Sequence, residues 1–276
     1  MAQWSFANIL RILAGLINLV VSLPIMPVIE SYSYPIRSYH TDVHGRLFTH
    51  QLLNFLQDAA HLHADGLGFG HEQLVNDDLL WVLSRLSIDI QRLPLNGQEV
   101  EVQTWVKSIR GSISEREFCV KRAGDTIINA SSVWVCLSGK THKPARLPPE
   151  YLDLMTTHDL YATLTGAEKA VNETAQSEAI NSSEITARYS DTDMVKHVNN
   201  AVYMRWALDA FRPDHFGHYQ LKGLTINYLN ETLLDSTVVI KYWQISNYEF
   251  FHEIVDASDN SLICRIKTSW LPIPSP

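Results

Sequence analysis

The chain repeats itself, and that constrains its fold more than any other feature. Residues 86–105 (LSIDIQRLPLNGQEVEVQTW) and 224–243 (LTINYLNETLLDSTVVIKYW) align without a gap, setting Leu86 on Leu224, Ile88 on Ile226, Val100 on Val238 and Trp105 on Trp243. Upstream, Asp42–Ala59 matches Asp193–Ala210, again without a gap. Downstream, Val133-Trp134-Val135 parallels Ser269-Trp270-Leu271. Whatever one copy folds into, the other must share, and the two must bury their apolar faces together.

Each copy shows the same coarse order. The pattern predicts a short strand at about 34–40 and about 184–190, then a helix at about 48–64 and about 198–211. Apolar residues recur at helical spacing at Leu52, Phe55, Leu56 and Ala59 in the first copy, and at Val202, Trp206, Ala210 and Phe211 in the second. Segments with strand alternation follow, such as Glu99-Val100-Glu101-Val102 and Ile263–Trp270. A long helix followed by an antiparallel run of strands implies an α+β unit, a sheet wrapped around its helix. The expected organisation is an apolar segment (1–32), a first unit (33–148), a linker of small and polar residues that contains a short helix (149–183) and a second unit (184–276).

Residues 9–28 (ILRILAGLINLVVSLPIMPV) are mostly apolar, interrupted by Arg11 and Asn18 and ended by Pro24 and Pro27. A spanning helix wants about 20 apolar residues, so this stretch is at the lower limit. As a signal peptide it lacks a small-x-small cleavage pattern. A helix resting on a membrane or on the protein, and an over-long gene start, fit as well.

A duplicated fold with one active site should lose its chemistry in one copy. Here His197 aligns with Arg46 and Glu231 with Leu93, while Asp193 aligns with a surviving Asp42. His197 falls at the start of the second helix, where free backbone N–H groups can hold a developing oxyanion. Glu231 falls at the end of the strand beside it. An imidazole and a carboxylate meeting there form a general acid/base pair able to activate water. The same residues also read as a turn or cap aspartate, a helix-start histidine and a solvated glutamate.

The segment Asp193-Met-Val-Lys-His197-Val-Asn-Asn200-Ala-Val-Tyr203 resembles the signature of the acyl-acyl carrier protein (acyl-ACP) thioesterases. Further matches are Asp65-Gly-Leu-Gly-Phe-Gly70, Trp81-Val-Leu-Ser-Arg85, Gly97-Gln-Glu-Val-Glu-Val-Gln-Thr-Trp105, Ala130-Ser-Ser-Val-Trp134-Val and Asn227-Tyr-Leu-Asn-Glu231. The resemblance runs from about residue 33 to 272. It implies a double hotdog fold and hydrolysis of acyl-ACP to free fatty acid and carrier, without cofactor or metal. It also implies Asp193, His197 and Glu231 as catalytic residues, with Val195, Asn199, Asn200 and Thr232 in support. Two positions depart from the family pattern: Val195 stands for Asn, and Thr232 for the Cys of many plant members. The first removes an amide that orients substrate or water; the second argues against a cysteine nucleophile.

Having lost His and Glu, the first unit is expected to hold the acyl chain, with Leu52, Phe55, Leu56 and Ala59 lining a tunnel. The partner is expected to be an acidic carrier protein. The formal charge of −8 argues against nucleic acid. Between Trp105 and Arg146, however, eight basic residues face three acidic ones, a local +5. Lys107, Arg110, Lys121, Arg122, Lys140, Lys143 and Arg146 are therefore expected to form a docking face, with Arg116 the eighth cation. His61 and His63 are spaced wrongly to chelate one ion on a helix. Gly66, Gly68 and Gly70 read as a helix stop and turn. Three cysteines build no disulfide framework and suit a reducing, cytoplasmic setting. Both a monomer and a homodimer fit. An acyl-CoA thioesterase, and an acyl- or carrier-binding protein that has lost catalysis, are the competing functions.

Overall fold

The computed structural model describes residues 29–171 and 179–273. The apolar stretch at residues 9–28, with its several readings, lies outside them. The first unit comprises β1 (Glu30–Pro35), α1 (Thr49–Gly66), α2 (His71–Asn76), β2 (Leu79–Ile90), β3 (Glu99–Arg110), β4 (Ile113–Arg122) and β5 (Asp125–Ser138). A short helix, α3 (Pro149–Leu154), opens the linker. The second unit comprises β6 (Asn181–Thr186), α4 (Asn200–Asp209), α5 (His215–His218), β7 (Tyr219–Tyr228), β8 (Thr237–Ser246), β9 (Glu249–Asp256) and β10 (Leu262–Pro272).

All ten strands join one sheet in the order β1-β3-β4-β5-β2-β7-β10-β9-β8-β6, antiparallel throughout. The copies meet where β2 pairs with its repeat-equivalent β7. Ser87 lies opposite Thr225, its own counterpart in the alignment. A local twofold therefore passes between these two residues, whose hydroxyls lie 3.3 Å apart. The result is the double hotdog: two helices packed on one another inside one long curved sheet.

The boundaries differ from the sequence pattern in instructive ways. The opening strands are Glu30–Pro35 and Asn181–Thr186, earlier than the pattern suggests, and each is followed by a 3₁₀ turn, at Ser38–His40 and Tyr189–Asp191. The second turn closes because the Asp191 carboxylate accepts the Arg188 N–H at 2.8 Å. The second helix is shorter than 198–211 because Asn199 caps it, its side chain accepting the Ala201 N–H at 2.9 Å. Gly66 ends α1, Gly68 takes the left-handed φ of 80°, and Gly70 caps α2. At Gly70 even a methyl group would collide with the Asp65 carboxylate.

The apolar periodicity becomes the core. Helix α1 buries Leu52, Leu53, Phe55, Leu56, Ala59 and Ala60, and α4 buries Ala201, Tyr203, Met204, Trp206 and Ala207. Equivalent tryptophans serve both units: Trp134 Nε1 donates to Ser132 Oγ at 2.8 Å, and Trp270 Nε1 to Thr268 Oγ1 at 3.0 Å. The linker after α3 is strapped across the outer face of the sheet. Trp105 Nε1 donates to Leu160 O at 2.9 Å, and the Ala162 N–H donates to buried Glu117 at 2.9 Å. The Ala170 N–H donates to Asn227 Oδ1 at 2.8 Å. Burial pushes the Glu117 carboxyl above the usual range, although Ser131 and the Ala162 N–H bond to it.

Candidate active site

The turn between β6 and α4 is built by its own hydrogen bonds. The Asp193 N–H donates to His197 O at 2.9 Å, and the Lys196 N–H returns to Asp193 O at 3.0 Å. The Asp193 carboxylate accepts the Val195 N–H at 3.0 Å. Lys196 adopts a left-handed φ of 67°, where the first copy has Gly45 at 73°. His197 is bridged to Leu233, and the Val198 N–H donates to Thr232 O at 2.9 Å. These bonds hold the turn against the loop that follows β7, which carries Glu231.

The outcome is a direct pairing. His197 Nε2 lies 3.2 Å from Glu231 Oε2, with the side chains 31% and 51% exposed. Both are close enough to exchange a proton and open enough to meet water. Asp193 bears on His197 through the backbone of the turn. At the start of α4, Asn199 serves the Ala201 N–H. The Asn200 N–H has no acceptor among the described residues. The Val195 side chain is about half exposed at the tip of the turn. Buried Thr232 lies beside Tyr203, whose phenol burial pushes up to about 12, with Thr232 partly offsetting the rise.

A crevice opens onto this helix start between α1 and the inner face of the sheet. Leu53, Leu56, Gln57, Leu86, Phe118, Trp134 and Tyr228 are among its walls. Its volume is about 10 Å³, room for roughly one water. Tyr228 reaches from it to donate to Asn200 O at 3.1 Å. Of the four helix residues expected to line a tunnel, Leu56 borders this crevice. Leu52 and Ala59 are buried in the main core, and Phe55 stacks on Tyr34.

Under the second helix, aromatic rings occupy the space between helix and sheet. Phe211, Tyr242, Phe250, His252 and Trp270 pack ring against ring there. The repeat sets Phe211 on Ala60, so a ring stands in one copy where a buried methyl group stands in the other.

The basic residues divide. Lys107 is buried, paired with Glu115 and Asp159 and seated on the Tyr161 ring, so it presents no charge to a docking partner. Its burial follows from the linker strap, which the strand alternation does not reveal. Arg110 ends β3, and Lys140, Lys143 and Arg146 follow β5. The register carries that end of the sheet to Tyr228 and the loop of Glu231, because β7 runs opposite β2, with Arg85 facing Asn227. Lys121 and Arg122 sit at the other end, beside Asp125. His61 pairs with Asp65, and His63 turns inward to Arg116.

A family model described as the acyl-ACP thioesterase N-terminal domain matches residues 29–155, and one described as the C-terminal domain matches 174–272. The chain belongs to the acyl-ACP thioesterase family. Among its relatives, the chloroplastic acyl-[acyl-carrier-protein] hydrolase FATB2 of Cuphea viscosissima is 27% identical over 255 residues, 87% of this chain and 62% of its own length. The palmitoyl-acyl carrier protein thioesterase of Arabidopsis thaliana is 26% identical over 258 residues, 86% of this chain and 63% of its own. The chain thus spans under two thirds of these relatives. Among solved structures, an acyl-ACP thioesterase from Bacteroides thetaiotaomicron superposes with a TM-score of 0.76 at 28% identity, covering 88% of this chain and 98% of that one. The fold is also that of the 12:0-ACP thioesterase of Umbellularia californica (TM-score 0.80, 23% identity, covering 91% and 100% of the two chains). Among the described residues of this family member, no helix is long and apolar enough to cross a membrane.

The alignment of the repeats flags His197 and Glu231. It also holds a signal not used in the sequence reading. Tyr203 sits on Leu52 and Tyr228 on Ile90, so two further polar groups cluster at one helix start and are missing at the other.

Proposed function

We propose that this chain hydrolyses the thioester of an acyl chain carried on acyl carrier protein, releasing free fatty acid and the carrier thiol. The observation that carries the reading is the His197–Glu231 contact at 3.2 Å, at a helix start beside an apolar crevice and in one copy of the repeat. The names of the relatives, acyl-ACP hydrolases and thioesterases, support the choice of substrate.

In this mechanism Glu231 accepts a proton from a water, and that water attacks the thioester carbon. The Asn200 N–H at the start of α4 faces the charge that develops on the carbonyl oxygen. Glu231 passes the proton across the 3.2 Å contact to His197; the carbon–sulfur bond breaks, and His197 delivers that proton to the departing sulfur. General acid/base assistance of this kind is worth about 10²–10⁴-fold. The acyl chain enters the crevice along Leu56 and Phe118, which must part to admit it. Arg110, Lys140, Lys143 and Arg146 offer an acidic carrier its landing surface at the catalytic end of the sheet. Asp193 contributes by holding the turn that aims His197.

The test is turnover of acyl-ACP and of the matching acyl-CoA by wild type and by Glu231→Gln. Carrier-linked hydrolysis that Glu231→Gln reduces by about 10³-fold is expected. Charge reversal at Lys143 and Arg146 should raise KM for acyl-ACP alone. Equal hydrolysis of both substrates, indifferent to that reversal, would make it an acyl-CoA thioesterase. Binding of acyl-ACP without turnover would make it a carrier-binding protein.

A further inference from the structure

The local twofold sets each helix against the start of the other, and the two contacts differ in kind. Residue 57 aligns with 208, and residue 48 with 199. At the catalytic end, Gln57 of α1 therefore faces Asn199, with its Nε2 3.5 Å from Asn199 Oδ1. At the inert end the equivalent positions hold Leu208 and Phe48. Polarity has thus been kept on both sides of one helix contact and lost from both sides of the other.

Gln57 is poorly satisfied where it stands. Its other hydrogen bond, to Leu53 O, is 3.4 Å long. Both are at the weak limit, against an ordinary 2.9–3.0 Å. Asn199 Oδ1 is already held by the Ala201 N–H at 2.9 Å. Gln57 is one of the residues around the crevice, as is Tyr228, which bonds the first carbonyl of α4, and the Gln57 amide points from there to Asn199. It therefore stands where a chain leaving the crevice meets the helix start. Meanwhile Val195, whose side chain is about half exposed, brings no amide to the site from its own turn.

We propose that Gln57, supplied by the first unit across the helix interface, is the hydrogen-bond donor that positions the acyl thioester before the His197–Glu231 pair. It does the orienting work for which Val195 has no group. The proposal rests on the thioesterase reading above.

The experiment measures kcat and KM on acyl-ACP for wild type, Gln57→Met, Gln57→Glu and the mirror variant Leu208→Met. Gln57→Met keeps length and shape but has no N–H, and should lower kcat on the order of 10²-fold, with KM, the pH profile and Tm little changed. Gln57→Glu keeps a polar group of the same shape without the donor and should fall as far. Leu208→Met should keep wild-type kcat. Wild-type kcat in Gln57→Met, or rescue by Gln57→Glu, would overturn the role of Gln57 while leaving the thioesterase reading intact. A wild-type protein without turnover on any acyl-ACP would remove both.

Discussion

The molecule makes the same turn twice, at residues 41–48 and 192–199, with opposite results. Both turns are closed by equivalent bridges, Thr41 to Leu47 and Thr192 to Val198, and both are pinned to the loop after the next strand, through Arg46 to Leu95 and His197 to Leu233. Both use an aspartate carboxylate to collect backbone N–H groups, His44 and Arg46 in one and Val195 in the other. In the first turn Arg46 then locks onto Asp42 at 2.9 Å and reaches into the other unit to Phe216 O at 2.7 Å. In the second turn His197 is left facing Glu231. The shared aspartate belongs to the turn; what was exchanged is the residue four positions on. One copy makes a staple, and the other makes the His197–Glu231 pair to which we assign proton transfer.

The largest expected effect breaks that symmetry outright. His197→Ala should lower kcat on acyl-ACP by about 10³-fold with little change in stability. Arg46→Ala should leave kcat unchanged and cost about 1–3 kcal/mol in chemical denaturation. Next come the spaces under the helices. Phe211→Ala should destabilise by about 3–5 kcal/mol, because it empties a packed ring cluster. Leu56→Trp, at a residue that borders the crevice, should instead act on substrate, raising KM most for the longest acyl chains.

Acid tests what the two units share. Burial holds the His63 imidazole down at about 4 and His252 at about 3, each below its ordinary 6.5. Both fold as neutral rings, and the unfolded chain takes up protons first. Stability should therefore be full above pH 6.5 and fall as pH drops toward 4, by up to about 1.4 kcal/mol per pH unit for each ring. His252→Phe should remove about one proton from the uptake on acid unfolding. The smallest effect is at Lys196. Replacing it with the Gly of the first copy should shift stability by less than about 1 kcal/mol, relief of the left-handed backbone being offset by a more flexible unfolded chain.

The repeat made the architecture legible, since apolar spacing and a gapless alignment depend on residues that each copy needs independently. It also singled out His197 and Glu231, because a polar pair present in one copy stands out against Arg46 and Leu93 in the other. Side-chain fates that depend on the linker were not legible. Lys107 reads as a surface cation along its strand, yet residues 158–170 cross that face and bury it. Gln57 escaped for a related reason. It looks like the polar side of an amphipathic helix, and only the packing of α1 on α4 brings it to Asn199. The tunnel residues were half legible: periodicity says that Leu52, Leu56 and Ala59 face inward, but not which of them borders open space.

We propose a division of labour in which one copy performs the chemistry while the other holds the chain. It is tested most directly with Glu231→Gln and an acyl-ACP bearing a photoreactive group at the far end of its chain, followed by mapping of the labelled peptides. An intact thioester and labels on the first unit, around Leu56, Phe118 and Trp134, are expected. Labels on Phe211, Tyr242 or Trp270, or rapid hydrolysis by Glu231→Gln, would contradict it.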